Sequence, residues 1–246
     1  MIFGFRDLTG NIIDIGPRQL FGSATPTAPD WTEIGTAYWS DWSDYIDYIV
    51  ALNAAGTEST STFGSLSGSD KWIGGVLSPS GAIYGIPDSS TTVLKIDPTT
   101  DTATTFGSLS GTGKWIGGVL APNGMIYGIP FNSTTVLKID PTTDTVSTFG
   151  SLSGANKWMG GVLAPNGAIY GIPLSSTTVL KIDPTTDTAT TFGSLSGTSK
   201  WYGGVLAPSG MIYGIPLNST TVLKIDPDIN TPFGEDVPLN GYFNKL

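Results

Sequence analysis

A lysine followed by a tryptophan occurs four times, at Lys71-Trp72, Lys114-Trp115, Lys157-Trp158 and Lys200-Trp201, each pair 43 residues after the last. An ammonium beside an indole can grip an anion or stack on a sugar ring. The same pair can instead plug a seam, because one large ring per copied unit is what packing asks for. A second group of chemistry-bearing residues lies upstream: Trp39, Trp42, Tyr45 and Tyr48 recur every third residue, and so do Asp41, Asp44 and Asp47. On a helix, positions three apart are neighbours, so rings and carboxylates would form adjacent stripes. Such stripes either pack on the body of the protein or dock a basic partner, since Trp and Tyr dominate binding hot spots. Three aspartates raise calcium as a ligand, but the EF-hand spacing is missing, and neither metal nor cofactor is expected.

Composition removes many alternatives. The chain has 246 residues, no histidine and no cysteine, which excludes disulfides, Cys/His metal sites, thiol nucleophiles and any Ser-His-Asp triad. Net charge is −9, against the clustered basic residues that nucleic acid needs. Only 13% of residues are charged while 11% are aromatic, unlike a disordered chain. No run approaches the roughly 20 apolar residues of a membrane helix, and no basic-then-apolar leader is seen, so the expected site of synthesis is the cytoplasm of the producer. The charge is uneven: residues 1–70 hold Arg6 and Arg18 against nine acids, which is −7 of the −9.

The elements that must position the Lys-Trp pairs are read from the repeat. Residues 71–113 and 157–199 differ only at Ile73/Met159, Ser78/Ala164, Ser80/Asn166, Asp88/Leu174 and Gly113/Ser199. Identity at this period indicates a propeller or solenoid built from one copied unit. The unit parses into four strands, Trp72 to Leu77, Ile83 to Ile86, Thr92 to Ile96 and Thr102 to Phe106. Pro79-Ser80-Gly81 and Asp97-Pro98-Thr99-Thr100-Asp101 are turns by residue type. Four short strands with frequent turn signals and no helix-period stretch predict an all-β fold. Apolar residues on both parities of the first two strands predict packing on both faces. Lys95 is expected to pair with Asp97 on the surface, a contact worth about 0–1 kcal/mol.

Gly75-Val76-Leu77-Ser78-Pro79-Ser80-Gly81-Ala82-Ile83-Tyr84, Lys95-Ile96-Asp97-Pro98 and Thr105-Phe106-Gly107 resemble the β-propeller blades of NHL-type and gluconolactonase-like proteins. The resemblance implies blades of four strands, and it is weak for function. Four units start at residues 71, 114, 157 and 200, and the last ends at Phe233-Gly234. Upstream, Ile49-Val50-Ala51-Leu52-Asn53 and Thr60-Ser61-Thr62-Phe63-Gly64 copy the third and fourth strands. The expected organisation is an N-terminal arm, 1–30, a propeller of about five blades, 31–234, with 31–66 as a degenerate blade, and a tail, 235–246. The competing reading is that only half a blade exists there and another chain closes the ring.

On a propeller, the loop from strand four to the next strand one and the loop between strands two and three share a face. The units vary there, at Asp88, Phe131, Leu174 and Leu217 among others, and clustered variability suggests a recognition rim. The candidate rim residues are Lys71, Trp72, Lys114, Trp115, Lys157, Trp158, Lys200, Trp201, Phe131, Leu174 and Leu217. The candidate docking residues are Trp39, Asp41, Trp42, Asp44, Tyr45 and Asp47. Gluconolactonase-like enzymes hold a metal with Glu, Asn and Asp, and streptogramin-lyase-like propellers use a histidine. This chain has only Glu33, Glu58 and Glu235, none inside a complete unit, and no histidine, so no enzyme is expected. The arm, the Ser/Thr/Gly-rich β body and the freshly copied blades resemble a repeat protein of a virus particle, such as a phage tail, fibre or capsid-decorating component. On that reading the protein resides in the virion. Its partners are other structural proteins, met through residues 1–48, with no nucleic acid. The alternative is a lectin-like propeller that binds a cell-surface glycan, and a lactonase-like enzyme is a minor one.

Overall fold

The computed structural model describes residues 59–227, together with a short antiparallel pair, β1 (Phe5–Arg6) and β2 (Ile12–Ile13). The chain divides into two units, Met1–Thr62, which contains that pair, and Phe63–Leu246, which contains the four repeats. The expected docking residues 39–47 and most of the expected degenerate blade lie outside the described residues.

Every regular element among the described residues is a strand. Blade one is β3 (Trp72–Leu77), β4 (Ile83–Pro87), β5 (Val93–Asp97) and β6 (Thr102–Phe106). Blade two is β7 (Trp115–Leu120), β8 (Ile126–Pro130), β9 (Val136–Asp140) and β10 (Thr145–Phe149). Blade three is β11 (Trp158–Leu163), β12 (Ile169–Pro173), β13 (Val179–Asp183) and β14 (Thr188–Phe192). Blade four has three described strands, β15 (Trp201–Leu206), β16 (Ile212–Pro216) and β17 (Leu223–Ile225). Each sheet is an antiparallel meander in sequence order. The expected strands therefore stand, with ends shifted by one residue.

The first strands of successive blades lie side by side, which places them on the inner edge of the arc. Glycine makes that approach feasible. Each first strand has a bulge between its tryptophan and the second glycine of its Gly-Gly pair. A Cβ on Gly74, whose φ is +89°, would lie 3.0 Å from the Cα of Gly117 in the next blade. The second strands of blades two and three are buried throughout, while the fourth strands are largely exposed. Burial on both faces explains the apolar residues at both parities, because each sheet is sandwiched between its neighbours.

The core is accordingly a series of seams rather than one centre. Tyr84, Ile86 and Val93 of blade one meet Trp115, Leu137 and Ile139 of blade two. Tyr127, Ile129 and Val136 meet Trp158, Leu180 and Ile182. Tyr170, Ile172 and Val179 meet Trp201, Leu223 and Ile225. Isoleucine is the knob of each seam: Ile86, Ile129 and Ile172 lie against Gly118, Gly161 and Gly204 of the following blade, where a Cβ would stand 2.6–2.7 Å from the isoleucine Cδ1.

Candidate functional site

On the face carrying the strand 4–1 and strand 2–3 loops, the lysines of the last three Lys-Trp pairs each cross a seam. Lys114 Nζ donates to the carbonyl oxygens of Asp88 (2.9 Å), Ser90 (2.8 Å) and Gly111 (2.9 Å). Lys157 donates to Phe131, Ser133 and Gly154, and Lys200 to Leu174, Ser176 and Gly197. Two acceptors belong to the preceding blade and one to the lysine's own loop. The backbone N–H groups of the same lysines donate across the seam to Asp88, Phe131 and Leu174. Each ammonium also stands 5.7–5.8 Å from the ring of its own tryptophan. The indole Nε1 groups donate to the carbonyls of Thr92, Thr135, Thr178 and Thr221.

These contacts correct the rim reading for blades two to four. Lys114, Lys157 and Lys200 are 2–3% exposed, and Trp115, Trp158 and Trp201 are 2–4% exposed. A buried ring offers no face to a sugar, and an ammonium sharing its protons among three carbonyls has none left for an anion. Leu174 is buried as well, and Phe131 is half-buried. Lys71, Trp72 and Leu217 differ because they stand at the two ends of the arc. Lys71 Nζ donates only to Gly68 among the described residues, Trp72 is half-buried and Leu217 is 53% exposed.

Taking the ammonium out of water without a carboxylate partner favours the neutral amine. Burial pulls Lys157 down to about 8, and it lowers Lys114 and Lys200 too, with Asp88 opposing it at Lys114. The unfolded chain keeps the lysine proton up to its ordinary 10.5. Between pH 8 and 10.5 the unfolded state therefore binds more protons, and stability rises with pH. The midpoint of urea unfolding should climb from pH 8 toward 10, and a steady fall over that window would contradict the burial.

The opposite face carries a different constellation. Lys95 Nζ meets Asp144 of the next blade at 2.5 Å, and Lys138 meets Asp187 at the same distance. This corrects the expected Lys95–Asp97 pair. Asp97 is occupied by its own turn, accepting from the Thr99 backbone N–H and hydroxyl, and the hydroxyl bond foremost holds its carboxyl below the usual range. Tyr84 OH donates to Asp144 (2.7 Å), and Tyr127 OH to Asp187 (3.0 Å). Burial, aided by the Asp187 bond, pushes Tyr127 up to about 12, and Tyr84 is raised for the same reasons. A phenol held protonated is a donor, not a base. Asp144 and Asp187 adopt φ of +52° and +51°, a left-handed turn position that Asp tolerates better than most residues.

Between blades two and three this face opens into a cleft of about 590 Å³, lined by Asn123, Lys138, Asp140, Ser147, Thr185 and Asp187 among others. Asn123 braces it, donating to Tyr127 OH and to the Pro184 carbonyl. Among the described residues no group of three or more Asp, Glu, His or Cys is placed to hold a metal. Sequence reasoning missed the Tyr–Asp–Lys set because its partners stand 49 and 60 positions apart. The signal available was that Tyr84, Lys95 and Asp101 all recur with the repeat.

The profile of a family described as a repeat of unknown function (DUF6923) matches residues 83–235. No protein with a curated description matches the chain. Solved structures share its fold. A streptogramin B lyase superposes with a TM-score of 0.54 at 12% identity, over 65% of this chain and 56% of that one. A catalytically inactive histidine-to-alanine variant of virginiamycin B lyase from Staphylococcus aureus, with quinupristin, gives 0.52 at 12% identity, over 68% and 59%. An auxiliary nutrient binding protein from Bacteroides ovatus gives 0.50 at 14% identity, over 64% and 39%. The chain spans a little over half the length of these lyases, and with them it is a β-propeller repeat protein.

Proposed function

This chain belongs to the repeat family of unknown function DUF6923, and we propose that it is a non-enzymatic structural and adhesion protein. Its place is a virus particle, as a tail, fibre or capsid-decorating component docked through its N-terminal segment. One observation carries the reading. The chemistry-bearing residues that the repeat supplies at its inner seams are engaged in holding one blade to the next: three buried lysines, three buried indoles and the Tyr–Asp–Lys sets. That is the chemistry of cohesion. The segregated charge supports the docking end, since −7 of the net −9 precedes the repeats, beside four aromatics spaced by three. The lyases that share the fold lend no activity here. The one with an inactivating histidine replacement points to a residue type that this chain does not contain.

Deleting residues 1–48 tests the assignment. The truncated propeller is expected to fold, with its incorporation into particles reduced at least tenfold. Changing Asp41, Asp44 and Asp47 to Asn should weaken docking and flatten its salt dependence, because surface charge pairs are screened at high ionic strength. Normal incorporation of the truncated protein would place attachment in the blades and sink the proposal.

A second reading, glycan binding, draws on the polar cleft between blades two and three, whose hydroxyls, carboxylates and ammonium suit the hydroxyls of a sugar. Free protein that binds glycan and loses it in Thr185→Val would favour this reading over the first.

A further inference from the structure

The two ends of the described arc carry complementary halves of one seam, and we infer that a second copy of this chain supplies the missing half at each end. Two copies then close head to tail into a ring of eight blades.

The inner seams define what a seam needs. The trailing blade contributes an isoleucine knob, two loop carbonyls and a lysine. The leading blade contributes a bare glycine, a Lys-Trp pair and a turn aspartate. Blade four presents the trailing set largely exposed. Ile215 is 49% exposed, whereas its counterparts Ile86, Ile129 and Ile172 are at 0%. Val222 is 60% exposed, against 0–3% for Val93, Val136 and Val179. Lys224, like Lys181, has no ion pair among the described residues. Blade one presents the leading set, and its seam partners are lacking among the described residues. Among the described residues, no atom of another blade lies within 4 Å of the Cβ position of Gly75, where Gly118, Gly161 and Gly204 each meet an isoleucine. Among the described residues, Lys71 makes one of the three carbonyl bonds its counterparts make, and Asp101 has no lysine of the kind that pairs with Asp144 and Asp187.

Ile215, Leu217 and Val222 are exposed together on blade four, and apolar side chains exposed together mark an interaction surface. Because the units are near-identical, blade one of a second copy fits blade four without new complementarity. Ile215 meets Gly75, Lys71 reaches the carbonyls of Leu217 and Ser219, and Lys224 pairs with Asp101. In the sequence upstream of blade one, the positions 43 residues before Lys95 and Tyr84 hold Leu52 and Asp41, so the repeat's lysine and tyrosine are not copied there. A head-to-tail contact closes when its rotation allows. Eight blades lie within the range of known propellers.

The test uses the full chain at micromolar concentration. Sedimentation should give a single species at twice 25.6 kDa. A zero-length carbodiimide, applied to a mixture of nitrogen-15-labelled and unlabelled chains, should join Lys224 to Asp101 in peptides of mixed isotope. Lys224→Asp and Asp101→Lys should each weaken association at least tenfold. Both in one chain should restore it, because each seam then regains one opposite pair. Ile215→Asp should give monomer that keeps its strand content. A monomer in the unaltered protein, meaning that the chain covers its own ends, would overturn the inference. So would cross-links confined to one isotope, or a ladder of open multimers growing with concentration. Charge reversals that leave association unchanged would overturn the pairing.

Discussion

Replacing Trp158 with alanine is expected to cost about 3–5 kcal/mol, the usual loss for a large buried aromatic. The ring is 2% exposed and packs among Tyr127, Ile129 and Val136. Its Nε1 donates to the Thr178 carbonyl at 2.8 Å, and Lys157 stands 5.8 Å from its centroid. Alanine would leave a cavity, an unpaired carbonyl and a buried ammonium without its aromatic neighbour, so three losses fall together. Trp72→Ala is the internal control. The same indole with the same bond to a threonine carbonyl is only half-buried at the end of the arc within one chain, and in the Ile215→Asp background, where no second copy covers it, less than half the effect is expected. Guanidinium unfolding of both variants decides the matter. Equal midpoints for Trp158→Ala and the unaltered protein would return the tryptophan to the role of an exposed platform.

Gly74→Ala should be nearly as damaging, for a different reason. Two glycines with matching backbones separate the causes: Gly74 has φ of +89° and Gly81 has φ of +90°. Alanine in either pays about 1–2 kcal/mol for the left-handed conformation. At Gly81 nothing lies within 4 Å of the added methyl, so that strain is the whole cost. At Gly74 the methyl would stand 3.0 Å from the Cα of Gly117, and backbone cannot swing aside as a side chain can. The strands must part, and the total should reach about 2–4 kcal/mol once lost packing is added. If the two variants melt together, the inner strands are less tightly apposed than described.

The strands were legible because their signals are local. Pro79-Ser80-Gly81 and Asp97-Pro98 end strands by their own conformational preferences, and the β-branched run at residues 91–93 needs no distant partner to declare itself. The seams were not legible. Lys95 and Asp97 are neighbours in sequence, yet the carboxylate turns to Thr99 and the ammonium reaches Asp144, 49 residues on. Pairing of that kind follows from the stacking of one sheet on the next, which no single unit encodes. The Lys-Trp pair misled for the same reason. Residue type predicts an attractive interaction with a ring or a carbonyl, and only the position of the preceding blade decides that the carbonyls of Asp88 and Ser90 take it before any ligand can.

Among the described residues, strand pairing runs only between chain neighbours, and this also has a kinetic consequence. Most contacts within a blade close short loops, so a blade can form early, and the slow events are the seams, each adding one blade to the next. Stability then behaves as a chain of nearest-neighbour terms, and opening starts at the ends. Amide hydrogens of β8 and β12, flanked by a seam on both sides, should exchange slowest. Those of β16, whose Ile215 and Pro216 are exposed, should exchange through fraying of the last blade alone. Joining the ends turns that line into a circle, and the gradient of exchange along the chain should then disappear.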